Sequence, residues 1–250
     1  MSSAKGKISK HDKQLLNLDQ WLFHAPPKGR KAHWKDGRSA KEIARLWLEA
    51  IPHLPLTIEE TLLNCAGIGR LHSWCAEPEA IVPFDKFRGP ANLDMLLTCE
   101  DERGQIVIGI EAKADETFGG TIGETLSKAH ARLRAKPRSK GVERIYKLAT
   151  LFELNLDNRS VLELRYQLLT ATAGVLAEAD RQSATRALVL IHDFVSHRTE
   201  TEKRVRNARD LNCFLREVFG YRGSLRPGTT TGPFDINDIQ LYFGKSQTEC

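Results

Sequence analysis

Residues 92–113 read NLDMLLTCEDERGQIVIGIEAK, and the fold turns on them. Two apolar runs, NLDMLLTC (92–99) and QIVIGIEAK (105–113), flank the polar CEDERGQ (99–105). The Asp and Gly of DERG fit a type I turn, so the stretch reads as a β-hairpin. A loop of two or four residues pairs Asp101 with Gly104 and Cys99 with Ile106. By continuation Asp94 falls opposite Glu111, and Asn92 opposite Lys113. Directly opposed residues share a face, with Cβ atoms about 5 Å apart. Alternation by two puts Lys113 on that face and leaves Ile106, Ile108, Ile110 and Ala112 as a core face. A three-residue loop with a glycine bulge would slip the register by one and send Asp94 to the other side.

Around the hairpin, helix starts are marked by Ser or Thr followed three residues later by Glu, the capping box. They occur at Ser39/Glu42, Thr57/Glu60, Thr121/Glu124, Ser160/Glu163 and Thr199/Glu202. Helices are expected from Ser39 to before Pro52, from Thr57 to about Gly67, from Thr121 to near Pro137, over 142–154, over 161–180, and from about 200 to a stop at Gly220. Strands are expected at AIVPF (80–84), at the two hairpin runs, at ATRALVLIHDFV (184–195) and at DIQLYFG (238–244). The order predicts an α/β (α+β layered) domain, a central mixed sheet flanked by helices. Residues 1–38 read as a basic arm that packs locally, and 39–250 as a single domain.

Charge is uneven. The chain of 250 residues carries 37 basic and 32 acidic groups, a formal +5 with pI near 9.0. Residues 1–38 hold nine Lys and Arg against three acids, among them Lys28, Arg30 and Lys31. A second cluster, RLRAKPRSKGVER (132–144), brings Arg132, Arg134, Lys136, Arg138 and Lys140 together. Such patches suit a polyanion; a solvated tail and loop would look the same. Five cysteines without a CxxC pair suggest free thiols in a reducing compartment. His72 and Cys75 have ligand-like spacing, with Cys65 upstream, but a zinc site lacks a fourth ligand. No secretion signal or membrane-length apolar run is visible, so a cytoplasmic protein is expected. The four tryptophans read as core or arm anchors, His192-Asp193 as an ordinary strand end, and FGGTIG (118–123) as a glycine-rich helix start that could cradle phosphate but lacks the Lys-Ser/Thr of a P-loop.

Two facing carboxylates repel unless one is protonated or a cation lies between them. Oxygen donors at a partly buried strand end suit Mg²⁺ or Mn²⁺. A lysine beside them can hold a phosphate or a water. Carboxylates, metal and lysine together meet the needs of phosphodiester hydrolysis. The plain alternative is a strand-end ion pair in which Lys113 neutralises Asp94 or Glu111.

Asp94, sixteen intervening residues and then Glu111-Ala112-Lys113 resemble the active-site signature of the PD-(D/E)XK, or restriction-endonuclease-like, nuclease superfamily. The expected order of helix, three-strand meander, helix and strand over roughly 55–195 extends the likeness. The longer pattern GPANLDMLLT…IGIEAKADETFG resembles a bacterial family of that group. The resemblance implies an αβββαβ core and a Mg²⁺- or Mn²⁺-dependent nuclease. Asp94, Glu111 and the Ala112 carbonyl would be ligands and Lys113 the group acting on water and phosphate. It points to Glu60 as an accessory acid, although the capping box competes for it, and to Gln167, with Arg165, on the following helix. Leu93 stands where the pattern usually has Pro. The implied partner is nucleic acid, DNA ahead of RNA, with no membrane; a homodimer is compatible. A catalytically inactive nucleic-acid-binding or regulatory protein on the same fold is the alternative.

Overall fold

The hairpin is the middle of the sheet. In the computed structural model, which describes residues 4–29, 33–87, 89–197 and 199–250, β4 (Ala91–Asp101) and β5 (Gly104–Lys113) pair antiparallel through a two-residue turn. Asp101 faces Gly104, Cys99 faces Ile106 and Met95 faces Ile110. Gly104, at φ 102°, takes the left-handed conformation that the tight turn needs. The turn is locked from outside: Asp101 accepts the Gly69 and Arg103 amides at 2.7 and 2.8 Å and a two-pronged Arg186 at 2.7 and 2.8 Å.

On one side lies β3 (Leu71–Val82), antiparallel to β4. Beyond it β1 (Lys5–Lys10) runs parallel to β3, with β2 (Lys13–Gln14) folded back on β1. On the other side β6 (Arg186–Val195) is parallel to β5, β8 (Ile239–Glu249) is parallel to β6, and β7 (Thr229–Ile236) closes the edge antiparallel to β8. The spatial order is β2-β1-β3-β4-β5-β6-β8-β7. This is the mixed sheet of a layered α/β fold, and the described residues include eight strands and eight helices.

Each face carries its own core. Trp21 of α1 (Leu18–His24), Ile43 and Trp47 of α2 (Ser39–Ala50), and Ile58 and Leu62 of α3 (Leu56–Leu63) meet Met95, Ile106, Ile108 and Ile110 on one side. On the other side pack α4 (Ile122–Ala135), α5 (Gly141–Leu151), the single turn α6 (Arg159–Leu162), α7 (Tyr166–Arg181) and α8 (Thr201–Phe219). Helix α7 lies closest to the strands: a Cβ on Gly109 of β5 would meet Val175 at 2.2 Å. That close approach brings the first turn of α7 over the end of β5.

Four expectations need correction. Residues 1–38 are not an appended arm: β1 adds to the sheet, and Ile8, Leu15 and Trp21 are buried in the second core. Arg30 and Lys31 of that segment lie outside the described residues. The weak strand at 80–84 is the tail of the twelve-residue β3. The helix at 161–180 is two elements, because Ile122 donates to Leu164 O and Tyr166 to Gly120 O where helical bonds would continue. The capping box forms at Thr121/Glu124, whereas Arg38, Pro55, Asn158 and Glu200 occupy the N-caps at the other four sites. Three tryptophans, Trp21, Trp47 and Trp74, are buried core residues, and Trp34 packs against them half-buried. Gly220 ends α8 at φ 68°.

Candidate functional site

With the turn fixed, the far end of the hairpin is fixed too. The regular ladder between β4 and β5 ends at Met95 and Ile110. One residue further, the Asp94 carboxylate takes over and accepts the Ala112 amide at 2.7 Å. Lys113 Nζ reaches back to Glu111 Oε2 at 3.3 Å and to the Ala112 carbonyl at 3.2 Å, and lies over the Phe118 ring at 5.2 Å. Asp94, Glu111 and Lys113 therefore share the α7 face, opposite Met95, Ile110 and Ala112. Glu111 is 1 % exposed. Its Oε2 accepts Gln167 Nε2 from the first turn of α7 at 2.6 Å. Its Oε1 is buried and has no hydrogen-bond partner among the described residues.

The electrostatics follow from burial. Removal from water pushes the Glu111 carboxyl up to about 8; Lys113 opposes this and Asp94 reinforces it. Asp94 is raised for the same first reason, against Lys113 and the Ala112 amide. Burial pulls the Lys113 ammonium down, yet Glu111, Asp94 and Glu116 together outweigh it and hold it above its ordinary value. Glu116 is held by the start of α2, accepting Ser39 N and Oγ at 3.3 and 3.0 Å, and by the Ala114 amide at 2.9 Å.

A further acid stands in the same row. The pairs Pro78–Met95 and Ala80–Leu93 place Glu79 of β3 across from Asp94. Glu79 has φ 47°, a left-handed conformation that is uncommon for a glutamate and found where surrounding structure enforces it. Lys10 of β1 contributes that enforcement, donating to the Glu79 carbonyl and to Glu77 Oε1, both at 2.8 Å. Burial, then Asp94, raises the Glu79 carboxyl to about 8. Glu79, and not Glu60, is the acid that stands beside Asp94. Glu60 is exposed on α3, against the opposite face of the sheet, because Ile58 and Leu62 are the residues that face the core. Glu79 lay just outside the strand read at 80–84; the alternation of a longer strand through EPEAIV was the available signal.

Asp94, Glu79 and Gln167 open into a cleft of about 450 Å³ whose rim includes Lys28, Gly119 and Gly120. Arg165 is not part of it. Its guanidinium pairs with Asp210 of α8 at 2.6 Å and donates to Gly119 O at 2.7 Å, fastening the glycine turn to the start of α7. Arg132, Arg138 and Lys140 line a neighbouring cavity, while Arg134 and Lys136 are exposed on the same segment outside it. His192 is buried, bonds Thr248 at 2.9 Å and is pushed down to about 3 by burial, so it stays neutral. Its neighbour Asp193 pairs with Lys245 at 2.9 Å, a buried charge pair that the sequence did not announce.

The donor set suits a hard divalent cation: the Asp94 carboxylate, the Glu111 carboxylate with its unpartnered Oε1, and the Ala112 carbonyl are all oxygen. Among the described residues, no three His, Cys, Asp or Glu side chains gather closely enough to hold an ion by themselves. An ion here would draw on Asp94, Glu111, the Ala112 carbonyl and water. The same observation leaves His72, Cys75 and Cys65 without a zinc site among those residues.

Fold and site together define a layered α/β protein with a carboxylate–lysine cluster where the central strands end. Residues 14–250 match the family model described as a domain of unknown function (DUF6946), and the chain belongs to that family. No curated protein and no solved structure matches it.

Proposed function

We propose that the protein is a metal-dependent nuclease that hydrolyses phosphodiester bonds in nucleic acid, DNA ahead of RNA. The observation that carries this reading is Glu111: a carboxylate buried in the core, with one oxygen unpartnered, Asp94 across the hairpin and Lys113 beside it. Burying such a group is costly without a counter-charge or a ligand. A Mg²⁺ or Mn²⁺ ion bound there would supply neutralisation of phosphate charge and Lewis-acid activation. Asp94 and Glu111 would hold it, Gln167 would fix the orientation of the Glu111 carboxylate, and Lys113 would orient the attacking water and stabilise charge on the phosphate. Lys28 and the basic cavity beside the cleft favour a polyanionic substrate. A reducing, cytoplasmic setting accords with five free cysteines. No helix among the described residues is long and apolar enough to cross a membrane.

The inactive alternative draws on one feature: Lys113 already bonds the Glu111 and Ala112 oxygens that an ion would share. A cleavage assay with Mg²⁺, Mn²⁺ or EDTA on plasmid, linear duplex, single-stranded DNA and RNA decides between them. Cation-dependent cleavage that Glu111→Gln abolishes supports the nuclease. Salt-sensitive binding without cleavage of any substrate supports the alternative.

A further inference from the structure

Beside the cleft lies a second and larger cavity, of about 950 Å³. Its wall carries Lys86, Arg132, Arg138, Lys140 and Arg144, and its floor is the apolar Ala129 and Ile145. The two spaces share Gly89, Arg144 and Tyr166, so they adjoin. Two acids answer the five cations: Asp85 pairs with Arg144 at 2.9 Å and Glu143 with Lys140 at 3.0 Å. Five less two leaves a surplus of three positive charges around one concave space. Helix α5 starts in this wall, at Gly141, with Lys140 at the N-cap, so the helix dipole adds to the field of those cations.

We infer that this cavity binds a terminal phosphomonoester of a nucleic-acid strand, and that phosphorylated strand ends are the preferred substrates. The inference rests on the nuclease reading for its substrate class. An internal phosphodiester carries a single negative charge, whereas a monoester carries nearly two and offers three acceptor oxygens. A surplus of three cations matches the richer group. Tyr166, shared by the two spaces, stands where the strand would pass from cavity to cleft.

The test is binding without chemistry. The full chain, in EDTA, is titrated by fluorescence anisotropy with one single-stranded DNA sequence carrying a 5′-phosphate, a 3′-phosphate or neither. One phosphorylated end is expected to bind about tenfold more tightly than the unphosphorylated strand, in line with added charge-assisted hydrogen bonds. Inorganic phosphate should compete that advantage away. The pair Arg132→Ala/Arg138→Ala should abolish it. The pair Arg134→Ala/Lys136→Ala removes the same charge from the same segment outside the cavity, and should weaken all three strands alike while the preference remains. All four side chains are exposed, so both variants should melt as the parent does. Binding indifferent to phosphate, no binding at all, or a preference lost equally in both variants overturns the inference. Absence of cleavage with Mg²⁺ would instead overturn the nuclease reading and leave the binding result intact.

Discussion

Gln167 Nε2 donates to Glu111 Oε2 at 2.6 Å, across 56 residues of sequence. The first turn of α7 is thereby fastened to the strand that carries Lys113. The bond fixes how the buried Glu111 carboxylate is turned, and it leaves the other oxygen, Oε1, without a partner among the described residues. Gln167→Leu should keep the fold, since position 167 is only half-buried, but free Glu111 to rotate. We expect a fall in turnover of about tenfold to a hundredfold, the range for disturbed orientation of a reacting group. Gln167→Glu should be worse, because it sets a third carboxylate against Glu111. Steady-state kinetics of the two variants check the order.

Lys113→Met separates chemistry from ion pairing. If Lys113 acts on the reacting phosphate, turnover should drop by roughly two to four orders of magnitude. Binding of Mn²⁺, followed by calorimetry, should persist or tighten, because an ammonium competing for the same oxygens is gone. Asp94→Ala should weaken the metal first. A Lys113→Met protein that loses stability and gains none back from Mg²⁺ would mark an ion pair without catalytic meaning.

The raised carboxyls give stability a pH dependence of definite sign. Glu111 and Glu79 titrate near 8 in the fold against an ordinary 4.5. Below about 4.5 both are protonated folded or unfolded, and burial carries no charge penalty. As pH rises toward 8 the unfolded chain ionises first, so the metal-free protein should melt at progressively lower temperature across that window. A bound divalent cation favours the ionised forms. Mg²⁺ or Mn²⁺ should therefore restore the melting temperature, by more at pH 8 than at pH 5.5, with proton release on binding. Melts with and without cation at both values test this.

At the other end of the hairpin, burial alone would raise Asp101. Arg186 with the Gly69 and Arg103 amides outweighs it and holds the carboxyl down at about 2. This group's stabilising share is present above the unfolded value near 3.8 and is lost as pH falls through 2. Asp101→Asn leaves Arg186 buried without its counter-charge and should cost about 3–5 kcal/mol in denaturant unfolding. Because this pair also fixes the turn, the variant should lose metal-dependent stabilisation although it lies far along the strands from Glu111.

Gly109→Ala probes the approach of α7. The new methyl would meet Val175, so we expect about 1–3 kcal/mol of destabilisation from overpacking. Val175→Ala should recover much of it by giving the methyl room. A double-mutant cycle of unfolding free energies reads the coupling directly.

The sequence by itself determined the hairpin. Its turn residues marked the reversal, and the alternation of Ile106, Ile108 and Ile110 gave β5 its core face; the two-residue turn seen in the structure settled the register that loop length had left open. The same local rules marked β6 and the stop at Gly220. Tertiary structure decided what depends on partners distant along the chain. The capping Ser39 and Ser160 were captured instead by Glu116 and Glu217, at 3.0 and 2.6 Å. Glu79 entered the carboxylate row only because β3 pairs with β4 and Lys10 of β1 pins its backbone. The orientation of the buried Glu111 carboxylate came from Gln167, 56 residues on. A local pattern specifies which face a side chain takes, since that follows from backbone geometry within a few residues. Which groups meet on that face, and how far burial shifts their charge, is a property of the packed chain, set by contacts made once the sheet has closed.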